Sequence, residues 1–156
     1  MHKVYQTIFS PTKGDCQRAA IASLFELKLE DVPKFQEAKD FWGACISFIK
    51  QKGYEFDGWL YNHKLYPDMV GKCTDLDTLS LLPSIKEFYC ASVISPTYYD
   101  KDKPIKEQVF HAVIIDKDCN IIFDPVEKYK GIKQYPLHEA IGFNGVADVM
   151  IIKEIC

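Results

Sequence analysis

Three residues of the 156-residue chain could together carry nucleophilic chemistry: Cys16 after Gly14-Asp15, His111 inside an apolar run, and Asp124 before Pro125. A thiol attacks a carbonyl as thiolate, and an ordinary cysteine, with a pKa of about 8.5, is mostly protonated at neutral pH. Two devices favour the thiolate. One is a helix N-terminus, whose first N–H groups face the sulfur without intrahelical partners. The other is a neighbouring imidazole that takes the proton and returns it to the leaving group.

Cys16 has the first device if a helix opens at Asp15. Of four histidines, His111 is the natural source of the second, because a strand over Val109–Ile115 would hold its ring firmly. His2 is near a terminus, and His63 and His138 lie in polar stretches typical of surfaces. The imidazole needs an orienting acceptor. Asp124 ends the next apolar run, so the two can meet across an antiparallel ladder. The oxyanion formed on attack needs donors. The backbone N–H of Cys16 is one, and the side chain of Gln6 or of Gln17 is the second.

The elements that must position these groups follow from spacing. Ala19, Ala20, Ser23, Leu24 and Leu27 recur on one face of a helix opened by Asp15 as N-cap. A second helix is predicted over about Ala38–Lys52, stopped by Gly53. Strands are predicted over Tyr54–Leu60, Phe88–Ser95, Val109–Ile115, Asn120–Asp124 and Ala147–Ile155, and the stretch 61–83 mixes turn residues with a possible short helix. The sum is one domain over 1–156, of the α+β class: helices first, then a mostly antiparallel sheet.

Bulk composition narrows the function. Net charge is −3, with 47% apolar and 26% charged residues, as in an ordinary globular protein. No basic patch suits nucleic acid, no run suits a membrane span, and no leader is visible, so a cytoplasmic protein is expected. The six cysteines include no CxxC pair and no metal-ligand spacing. Neither disulfides, nor metal, nor any cofactor is expected. Cys45, Cys90 and Cys119 read as structural, Cys73 and Cys156 as exposed.

The segment Gly14-Asp15-Cys16-Gln17-Arg18-Ala19-Ala20-Ile21-Ala22-Ser23-Leu24 is followed by Val32-Pro33-Lys34-Phe35 and a helix bearing Phe41-Trp42. Then come Ser95-Pro96, His111-Ala112-Val113, Asp124-Pro125 and Gly131-Ile132. Over residues 3 to 132 this order resembles a family of small papain-like proteins of bacteriophages and bacteria, akin to the C39-type peptidase domains. The resemblance implies a papain-like fold and catalytic roles for Cys16, His111 and Asp124, with Gln6 a looser match. Two departures stand out: Asp124-Pro125-Val126 where relatives often carry Asp-Pro-His, and Ser95-Pro96-Thr97-Tyr98 where Arg-Gly often follows the proline.

The expected activity is hydrolysis of a peptide, an amide or a small-molecule acyl substrate through a Cys-His-Asp triad and a covalent acyl-enzyme. Substrate contacts are expected at Gln17, Trp42, Ser95 and Tyr98, and in the loops 61–85 and 96–108. The same machinery serves acyl transfer to an amine. A phage protein of this fold that sequesters or blocks a host component is the alternative from another class.

Overall fold

The computed structural model describes residues 1–10, 14–69 and 75–155. Helix α1 spans Cys16–Leu24 and α2 spans Phe41–Gln51. Five strands follow: β1 Tyr54–Tyr61, β2 Tyr89–Ile94, β3 Phe110–Ile115, β4 Ile121–Phe123 and β5 Val146–Glu154. A four-residue helix, α3 (His138–Ile141), precedes β5. The strands form one antiparallel sheet in the order β1-β5-β2-β3-β4. The chain is therefore α+β, as expected from its elements.

Both faces of the sheet are covered, which is why its central strands are apolar at nearly every position rather than alternating. On one face Cys90, Ala112, Ile114 and Met150 pack under Ile21 of α1 and Ile49 of α2. On the other, Ala91, Val93, Val113 and Val149 pack against Leu76, Leu79 and Tyr135. Leu76 and Leu79 belong to a 3₁₀ segment, Leu76–Leu81, that supplies the short helix anticipated in 61–83.

Helix α1 departs from the one-faced pattern. Every residue from Gln17 to Leu24 is buried. The small side chains of Ala19, Ala20 and Ala22 let it lie close to the sheet, while two segments cover its outer side. Ser23 Oγ accepts from Val4 N at 2.9 Å, and Arg18 Nε donates to Val32 O at 2.7 Å. Leu27 lies past the helix end.

Helix α2 opens later than the apolar spacing suggests, because Asp40 caps it by accepting from Gly43 N at 3.1 Å. Gly53, at φ +87°, ends it as expected. Among the described residues, no helix is long and apolar enough to cross a membrane, and no group of His, Cys, Asp and Glu could hold a metal ion.

Candidate active site

Cys16 is the first residue of α1, half-exposed where the rest of the helix is buried. Asp15 occupies the N-cap position, but its carboxylate does not cap the helix. It turns the other way and accepts from Thr7 N at 2.9 Å, Thr7 Oγ1 at 2.8 Å and Ile8 N at 2.9 Å. This corrects the expected capping role. Asp15 straps the N-terminal segment to the helix, and among the described residues the N–H of Cys16 has neither an intrahelical acceptor nor a side-chain cap.

His111 is the second residue of β3. Its Nε2 lies 2.6 Å from Asp124 Oδ1, its ring lines the same cleft as Cys16, and Cys16 is near enough to help raise the ring's pKa. With Nε2 taken by Asp124, Nδ1 is the ring nitrogen left for a thiol. Asp124 lies just past the end of β4 rather than within a strand. The ladder pairs Ile114 with Phe123, which sets Asp124 level with Val113, diagonal to His111.

Asp124 is fully engaged. Oδ1 also accepts from Val126 N at 2.8 Å, and Oδ2 accepts from the phenol of Tyr135. Tyr129 meets the His111 ring edge to face, with centroids 5.9 Å apart, and its hydroxyl is hydrogen-bonded to Thr97.

Electrostatics follow from this packing. Burial disfavours a charged His111, but the hydrogen bonds and charges of Asp124 and Cys16 outweigh it and raise the ring to about 9. Burial pushes Cys45 and Cys119 up to about 12, and Cys90 higher still. These are inert core thiols, as the sequence suggested. Cys73 and Cys156 lie outside the described residues.

A cleft of about 70 Å³ opens over Cys16 and His111. Gln6, Ser95 and Tyr98 line it together with Phe9, Phe110, Val126 and Tyr129. Gln6 is held by its own N–H donating to Pro125 O at 3.0 Å and by Nε2 donating to Ile8 O at 3.0 Å. A second Nε2 hydrogen remains, and Gln6 rather than Gln17 lines the cleft with Cys16.

Two expected substrate contacts are elsewhere. Gln17 points into the core, its Nε2 3.9 Å from Cys45 Sγ and its Oε1 3.7 Å from Cys90 Sγ. The helix turns it about 100° from Cys16, toward the sheet. Trp42 packs edge to face on Phe41 and Trp59, away from the cleft. The loop 96–108 contributes Thr97 and Tyr98, braced by Gln108 Nε2 donating to Asp100 O at 2.6 Å. None of the described residues of 61–85 lines the cleft.

Asp15, Tyr129 and Tyr135 join the candidate site without a local sequence signal for it. Asp15 reads as an ordinary cap. The two tyrosines sit in polar stretches outside any regular periodicity, and only their tertiary contacts give them a role. His63 and His138 are engaged elsewhere, with Asp75 at 3.7 Å and with the Tyr135 carbonyl at 2.9 Å.

No family model, no curated sequence and no solved structure matches the chain.

Proposed function

We propose that the chain is a papain-like cysteine hydrolase that cleaves an amide or related acyl bond. The observation that supports this is a single ring, His111, hydrogen-bonded to Asp124 and lining one cleft with a partly exposed Cys16 at a helix start.

The reaction runs in two halves. The Cys16 sulfur attacks the substrate carbonyl carbon, forming the C–S bond, while His111 holds the thiol proton as imidazolium. The carbonyl electron pair moves to oxygen, which the Cys16 N–H and the Gln6 amide stabilise. The intermediate collapses, His111 gives its proton to the leaving amine, and a thioester remains. Water then attacks the thioester with His111 as general base. The C–S bond breaks, the acid departs, and the sulfur recovers its proton. Asp124 keeps the ring in register and favours its charged form throughout.

The test is mass spectrometry after exposure to an electrophilic amide-mimicking probe, followed by turnover assays on a peptide and amide library. Cys16 is expected to be modified first, with the preference lost in His111→Ala, and Cys16→Ala is expected to fold without turnover. Turnover retained by Cys16→Ala would overturn the reading. Labelling that ignores Cys16 would favour a binding protein on the same fold.

A further inference from the structure

On the basis of the hydrolase reading, we propose that Tyr135 is the fourth member of the site. It is a positioning residue whose phenol anchors the far oxygen of Asp124 and limits how tightly that carboxylate grips the His111 ring.

Asp124 has two oxygens with separate duties. Oδ1 accepts from His111 Nε2 at 2.6 Å and from Val126 N at 2.8 Å, and Oδ2 accepts from Tyr135. With both oxygens bound, the carboxylate cannot rotate and release the ring. A donor on Oδ2 also draws charge away from Oδ1. The imidazolium is then held firmly enough to form, yet loosely enough to give its proton to a leaving group.

The chain around Tyr135 is shaped to deliver that phenol. Tyr135 N donates to Asn144 O at 3.0 Å, and His138 N donates to Tyr135 O at 3.1 Å. Gly145 sits at φ +88°, and a Cβ there would lie 2.9 Å from Tyr135 O. Asn144 is also left-handed, at φ +58°. Only a glycine lets this turn approach so closely.

The groups facing the relay are few. Cys16 and His111 lie on one side of Asp124, Tyr129 packs against His111, and Lys128 Nζ stands 5.3 Å from the Tyr129 ring centroid. Burial and the charge of Asp124 push the Tyr135 phenol well above its ordinary range, so it stays a donor.

The experiment is the pH profile of Cys16 alkylation by iodoacetate, read by mass spectrometry, in the native chain and in Tyr135→Phe. Iodoacetate is anionic, so its reaction reports the imidazolium. Losing the phenol should concentrate charge on Oδ1 and move the alkaline limb up by about one pH unit. A limb that stays in place while only the amplitude falls would make Tyr135 a packing residue and overturn the inference. Native chain that shows no His111-dependent labelling of Cys16 would bring down the hydrolase reading and the inference with it. Should Tyr135→Phe fail to fold, proton NMR of the native chain decides. An exchange-protected tyrosine hydroxyl close to the His111 ring proton is expected, and its absence overturns the inference.

Discussion

His111 spends Nε2 on Asp124, 2.6 Å away, and so keeps Nδ1 free of the carboxylate in the cleft it shares with Cys16. In the proposed reaction that division would give the ring's proton a direction, with the carboxylate behind it and the thiol in front. It also ties stability to pH, because the same bonds favour the charged ring in the folded state alone.

The folded ring titrates at about 9 against an ordinary value of 6.5. A raised histidine contributes its full stability below the unfolded value and loses it as pH rises through the folded one. Urea unfolding should show stability falling between pH 6.5 and 9.5, by on the order of 3 kcal/mol. In His111→Gln that portion of the slope should vanish.

Asp15→Ala removes the carboxylate that accepts four hydrogen bonds from Thr7 and Ile8. Two backbone N–H donors lose their partner, at a cost of about 2–4 kcal/mol. Gln6, one residue before the strap, should lose its place beside Cys16. Chemical denaturation and amide exchange at residues 7 and 8 measure the two effects, and Asp15→Asn should recover part of each.

Asp148 faces Ser92 across the sheet, and its Oδ1 is shielded with no hydrogen-bond partner among the described residues. Burial raises its carboxyl to about 6, a shift the Ser92 hydrogen bond reduces only in part. As with His111, stability is complete below the unfolded pKa, here 3.8, and lost as pH passes the folded one. Asp148→Asn should therefore stabilise the protein at pH 7.5 by about 2–3 kcal/mol and do little at pH 3.5. Equal midpoints at pH 7.5 would refute this.

Lys128 is the one lysine lining the cleft among the described residues, and no carboxylate lines it. Its charge should draw anionic electrophiles toward Cys16. In Lys128→Gln the ratio of iodoacetate to iodoacetamide rates at Cys16 is expected to drop about two- to fivefold at low salt, and less at 0.5 M salt. An unchanged ratio would remove Lys128 from substrate selection.

Local chemistry accounts for what the amino-acid order determined alone: the helix beginning at Cys16, the apolar strand holding His111, the turn carrying Asp124, and the α+β class. Each rests on neighbours within a few residues, where periodicity, caps and prolines act. Tertiary structure decided the remainder. The last strand, β5, enters between β1 and β2, covered faces bury α1 on every side, Gln17 turns to the core thiols, and Asp15 faces the N-terminal strap. Tyr135 reaches Asp124 from eleven residues downstream. These outcomes depend on which distant segments share a surface, and close packing on both sides of the sheet is what selects them.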